Sequence, residues 1–144
     1  MKTRIAVLVS GGGTNLQALI DAQGSVIKSG EIVLVVSNTS KAYALERARN
    51  ASINTEVVIK KKSIPQEEFE QKLINVLEEN KIDLIILAGF MTILSENFTS
   101  RYPERIINVH PSLIPSLCGE GFYGLKVHEA ALEYGVKVTG ATVH

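Results

Sequence analysis

Short runs of branched apolar residues alternate with segments of helical spacing, and this alternation constrains the fold more than any other feature. Arg4 to Val9 is a nearly continuous apolar run. A strand of that kind needs cover on both faces. The next segment, Asn15-Leu-Gln-Ala-Leu-Ile-Asp-Ala, places Leu16, Leu19 and Ile20 on one helical face. A second buried run, Ile32 to Val36, ends in the polar turn Ser37 to Ser40. A helix over Ala42 to Ala51 follows, its polar side carrying Glu46, Arg47 and Arg49, and Thr55 to Ile59 reads as a third strand.

Ser63 and Pro65 open a third helix that runs to about Asn80, with Phe69, Leu73, Val76 and Leu77 at helical spacing. Ser63 is its expected cap, and Glu67, Glu68 and Glu70 suit the positive end of its dipole. Leu84 to Leu87 is the most hydrophobic strand and is expected to be central. A short helix over Glu96 to Tyr102 leads to the strand Ile106 to Val109. Leu125 to Tyr134 reads as a further helix, and Val136 to His144 alternates like a strand. The pattern predicts one α/β domain over residues 1–144: an open, mostly parallel sheet with helices on both faces. Ligands of such sheets sit at the carboxyl ends of strands, where strand order reverses. That rule selects Ser10 to Asn15, Gly89 to Leu94 and Asn108 to Pro115, which are expected to face one cleft.

Composition narrows the partners. Acids and bases balance at 15 each, so there is no domain-wide basic field to attract nucleic acid or an anionic membrane. Lys60-Lys61-Lys62 reads as a solvated loop. The single cysteine, Cys118, excludes an internal disulfide framework and suits a reducing compartment. The apolar run ending at Val9 is too short for a signal peptide or a membrane span, so the expected location is the cytoplasm.

Ser10-Gly11-Gly12-Gly13-Thr14-Asn15 joins the first strand to the first helix. Glycines permit a tight turn and close approach of a ligand, and the helix that follows presents unpaired amides to an anion. A dinucleotide fingerprint would need a third glycine where Leu16 stands and an acid where Asn38 and Thr39 stand. A nucleoside triphosphate loop would need a lysine after Gly13. A monophosphate is left as the best reading, with Thr14 and Asn15 adding side-chain donors; a tight turn with no ligand is the plain structural alternative.

Asn108-Val-His110-Pro-Ser carries a second kind of chemistry. Residues two apart on a strand share a face, so Asn108 and His110 would project together if the strand reaches His110. An amide donor beside a titratable base is what acyl transfer needs, one for the oxyanion and one for the proton. Structural roles for both residues stay open on this reading. Neither Ser112 nor Cys118 has the setting of a nucleophile, and His110, His128 and His144 lack metal-ligand spacing, so no metal is expected.

Taken together, the loop Ser10-Gly-Gly-Gly-Thr-Asn-Leu-Gln, the strand end Leu87-Ala-Gly-Phe-Met-Thr-Ile-Leu, Ile107-Asn-Val-His-Pro-Ser-Leu-Ile-Pro and Val138-Thr-Gly-Ala-Thr-Val-His resemble the glycinamide ribonucleotide formyltransferase family. The resemblance covers the whole chain in order. It implies a Rossmann-like fold and direct formyl transfer from 10-formyltetrahydrofolate, as co-substrate, to a primary amine. It implies that Gly13, Thr14 and Asn15 hold the ribose phosphate of the acceptor. Met91, Thr92, Ile93 and Leu94 would line the folate pocket together with Asn108, and Asn108 and His110 would be the catalytic pair. Partners would be small molecules, with the protein a monomer or weak homodimer.

In that family a catalytic aspartate lies about seven residues beyond the histidine matching His144, where it orients the catalytic histidine. The chain is therefore expected to lack the family's C-terminal part. Gln66 stands where some relatives have an arginine near the folate, and the loop Ser116 to Tyr123 runs longer than in some of them. Another formyltransferase, a formyltetrahydrofolate hydrolase and a non-catalytic phosphate-binding fragment are the alternative readings. A nicotinamide dehydrogenase is disfavoured by the missing glycine and acid.

Overall fold

The computed structural model describes residues 2–110 and 142–144, and the chain forms two compact units, residues 1–106 and 107–144. The first unit contains strands β1 (Thr3–Val9), β2 (Gly30–Ser37), β3 (Asn54–Val57) and β4 (Leu84–Leu87). All pair in parallel, in the order β3-β2-β1-β4. Four helices lie between and after them: α1 (Thr14–Ala22), α2 (Ala44–Asn50), α3 (Gln66–Glu79) and α4 (Glu96–Thr99).

The unbroken apolar run of β1 is explained by two cores, one on each face of the sheet. Ile5, Val7 and Val9 pack with Leu16 of α1 and with Ala44, Leu45 and Ala48 of α2. Ala6 and Leu8, pointing the other way, pack with Phe69, Leu73 and Leu77 of α3 and Phe98 of α4. Each large side chain so covered contributes about 1.5–3 kcal/mol relative to exposure. A bulge in β2 keeps both cores filled. Ile5 pairs with Ile32 but Ala6 pairs with Leu34, so Val33 is the extra residue. Ile32 thereby enters the first core while Leu34 enters the second.

β4 is interior, as expected, with β1 on one side and the Ile85 N–H donating to the Arg105 carbonyl at 2.8 Å on the other. It is β1, however, that is covered along its length, from Ile5 to Val9; Leu84 and Leu87 are only half-buried. Two expectations about α3 need correction. Its cap position is Pro65, with no side-chain cap, and Ser63 lies in the preceding turn, too early to reach the first helical amides. Glu67 and Glu68 do occupy the first turn, but Glu70 is turned inward and buried. β3 and α4 are shorter than their patterns suggested, ending at Val57 and Thr99.

The chain enters the second unit along β5 (Ile106–His110), which pairs antiparallel with β6 (Thr142–Val143). The helix expected over Leu125 to Tyr134 lies outside the described residues. So does most of the strand expected over Val136 to His144. No helix among the described residues is long and apolar enough to cross a membrane.

Candidate active site

Strand order reverses at β1: β2 and β3 lie to one side and β4 to the other. The segments leaving the carboxyl ends of β1 and β4 therefore lie on either side of that reversal, where ligands of such sheets bind. Two of the three segments selected from the sequence meet there. The Met91 N–H donates to the hydroxyl of buried Ser10 at 2.8 Å, tying the segment after β4 to the start of the glycine loop.

The glycine loop has a packed side and an open side. Gly13 takes the left-handed conformation, φ 79°, at the N-cap of α1, and a Cβ there would stand 2.6 Å from that of Ala44. Cβ atoms on Gly11 and Gly12 would meet nothing within 4 Å. Thr14 and Asn15 are exposed at the first turn of α1, which has neither an acid nor a side-chain cap. A helix end left uncapped in this way can accept an anion. Leu16, at the dinucleotide motif's third glycine position, is fully buried in the first core. Close approach of a pyrophosphate at that position is blocked.

On the β4 side, Gly89 is left-handed with φ 71°, turning the chain out of β4. Met91 and Ile93 then stand 48% and 66% exposed, while Leu94 packs on the second core. Two solvent-facing apolar side chains beside polar loops suit an apolar ring system better than water. The segment is held from behind. Asn38 donates its amide to the Thr92 hydroxyl at 2.6 Å, and Gln66 donates to the Ile93 carbonyl at 3.0 Å.

Buried Glu70 completes this support. Its carboxylate accepts from Gln66 (2.8 Å), from the Ser95 N–H (2.7 Å) and from the Ser95 hydroxyl. Burial pushes the Glu70 carboxyl up, but these donors from Ser95 and Gln66 outweigh it, leaving the group below its ordinary value. Ser95 in turn accepts from the Phe98 N–H and caps α4. The sequence selected Ser10 with its loop but offered little sign of the roles of Asn38 or Ser95, because each is an ordinary turn residue until its partner is known.

In the second unit β5 continues through His110, the condition under which Asn108 and His110 belong to one strand end. Asn108 and His144 exchange both backbone bonds, at 2.6 and 2.8 Å. The Asn108 side-chain nitrogen lies 3.2 Å from Nε2 of His144, where it donates if that nitrogen carries the lone pair. His144 thereby stands beside the amide of Asn108. Pro111 to Pro115 lie outside the described residues. Among the described residues no cluster of His, Cys, Asp or Glu has the makings of a metal site.

Residues 3–144 match the formyl transferase family. The chain is 46% identical over 143 residues to the trifunctional purine biosynthetic protein adenosine-3 of Gallus gallus, covering 99% of this chain and 14% of that protein. It is 42% identical over 140 residues to the phosphoribosylglycinamide formyltransferase of Escherichia coli, covering 97% of this chain and 64% of that one. The crystal structure of glycinamide ribonucleotide transformylase 1 from Symbiobacterium toebii superposes with a TM-score of 0.88 at 38% identity, over 99% of this chain and 65% of that one. The chain thus spans less than two thirds of the length of each of these proteins.

Proposed function

The chain belongs to the formyl transferase family, and from that premise we propose that it moves a formyl group from 10-formyltetrahydrofolate to the amine of glycinamide ribonucleotide. The observation that carries this reading is the Ser10–Met91 hydrogen bond. It joins, at the sheet's order reversal, a loop open to an anion and a segment presenting apolar side chains. One crevice thereby offers complementary surfaces to a phosphorylated acceptor and to a folate ring. Two of the relatives above, named a phosphoribosylglycinamide formyltransferase and a glycinamide ribonucleotide transformylase, support formyl transfer to that acceptor. We read residues 1–144 as one formyltransferase domain acting on small molecules.

Gly13, Thr14 and Asn15 hold the acceptor's phosphate, and Met91, Thr92, Ile93 and Leu94 line the folate site. The acceptor's amine attacks the formyl carbon, and the carbonyl oxygen takes up negative charge. Asn108, with its amide oriented by His144, donates to that oxygen, and protonated His110 stabilises it. The tetrahedral intermediate collapses as the bond to the folate nitrogen breaks. The proton lost by the amine reaches that nitrogen through His110 or a water. Removing the Asn108 donor is expected to cost on the order of 10²–10³ in rate, and removing His110 on the order of 10²–10⁴.

The testing experiment is a spectrophotometric assay with a 10-formyl folate, supplying glycinamide ribonucleotide, an unphosphorylated amine or water alone. Transfer that requires the phosphorylated amine supports the reading. Release of formate without any amine would replace it with hydrolysis, and binding without turnover would leave a phosphate-binding module.

A further inference from the structure

Two of the three glycine carbonyls of the loop, those of Gly11 and Gly12, are pinned by α2. The Ala44 N–H donates to the Gly11 carbonyl at 3.0 Å, and Nε of Arg47 donates to the Gly12 carbonyl at 2.7 Å. In a trans peptide the carbonyl of one residue and the N–H of the next point in opposite directions. Pulling the Gly11 and Gly12 carbonyls toward α2 therefore turns the N–H groups of Gly12 and Gly13 away from it. Those amides donate to no backbone acceptor among the described residues. The loop is open around Gly11 and Gly12.

Arg47 is itself held in place. Its guanidinium lies 5.1 Å from the centre of the Tyr43 ring, and Nη1 donates to Gln17 of α1 at 3.3 Å. Its Cδ would stand 3.2 Å from a Cβ on Gly13, so the stem packs directly against the loop. The side chain thus reaches from α2 to α1 along the loop.

We propose that Arg47 is a positioning residue for the acceptor's phosphate, aiming the Gly13 amide by holding the Gly12 carbonyl through Nε. The inference rests on the reading of this loop as a phosphate site. It concerns the place of one donor atom rather than the presence of a charge, and that difference can be measured. In Arg47→Gln the amide nitrogen falls where Nε stood, keeping the donor without the charge. Arg47→Lys keeps the charge but puts a methylene at that place. Arg47→Met keeps the stem alone.

Ribose 5-phosphate is titrated calorimetrically into the protein and the three variants, with the unliganded amide signals of Gly12 and Gly13 followed by NMR. The expected result is that Arg47→Gln binds within about threefold of the unaltered protein, while Arg47→Lys and Arg47→Met each lose about tenfold. The two glycine signals move in the latter pair and hold in the former. Equal affinities throughout, equal losses in Gln and Lys, or a weaker Gln than Lys would overturn the role. Should Arg47→Lys fail to fold, Gln against Met decides the same question. If the unaltered protein binds no ribose 5-phosphate at millimolar concentration, the phosphate reading itself falls, and the role of Arg47 with it.

Discussion

At Gly13 a left-handed backbone coincides with a neighbour that leaves no room for a Cβ, whereas Gly12 meets neither condition. Gly13→Ala should cost roughly 2–4 kcal/mol, combining left-handed strain with overpacking against Ala44. Gly12→Ala should change stability by about 0.5 kcal/mol or less yet weaken binding of the phosphorylated acceptor, since the added methyl projects into open space. Urea denaturation and ligand titration separate the two effects. Tyr102 offers a different residue-scale test. Its hydroxyl is buried with no hydrogen-bond partner among the described residues, and burial, then the charge of Glu78, push its pKa up. Tyr102→Phe should leave stability unchanged or raise it by about 1 kcal/mol, because a buried unpaired donor is unfavourable. A lower denaturation midpoint would show that the hydroxyl has a partner in solution. The glycine triplet was legible in the sequence because glycines between a strand and a helix permit a tight turn and close approach of a ligand. Arg47 was not: on a helix whose polar side also carries Glu46 and Arg49, nothing local separates it from a solvated charge.

Between elements, the link from α3 to the segment after β4 runs through Glu70 and Ser95. Because the folded carboxyl sits below its ordinary value of 4.5, its contribution is complete above that value and is lost as pH falls through the folded value. Glu70→Gln should therefore lower stability at neutral pH by about 1–3 kcal/mol. The gap between the variant and the unaltered protein should narrow below about pH 4.5, as thermal unfolding across pH would show. A gap independent of pH would mean that shape, not charge, matters at this position. Helical spacing alone located α3, because Phe69, Leu73 and Leu77 recur on one stripe. The same spacing could not distinguish Glu70 from its exposed neighbours Glu67 and Glu68. An acid near a helix start suits the dipole whether it is solvated or buried, and only the tertiary partner decides.

For the molecule as a whole, a ligand that binds only the folded state stabilises it by mass action. A phosphorylated acceptor at a hundred times its Kd should add about 2.7 kcal/mol, a rise in Tm of roughly 5–10 °C for a domain of this size. An unphosphorylated amine at the same concentration should add much less, and equal shifts would count against recognition through the phosphate. The sequence by itself determined the layered architecture. A strand apolar at every position, like Ile5 to Val9, has only one stable setting, between two sets of helices. It also indicated which strand ends to examine, because glycine, asparagine and histidine interrupt apolar runs for reasons of backbone geometry and chemistry. What only the tertiary structure decided is which side chains from distant segments meet: Ser10 with Met91, Glu70 with Ser95, Arg47 with the Gly12 carbonyl, Asn108 with His144. Each is a hydrogen bond between segments 25 to 81 residues apart in the chain. A directional bond at that separation depends on where the strands place its two ends, and local spacing carries no record of it.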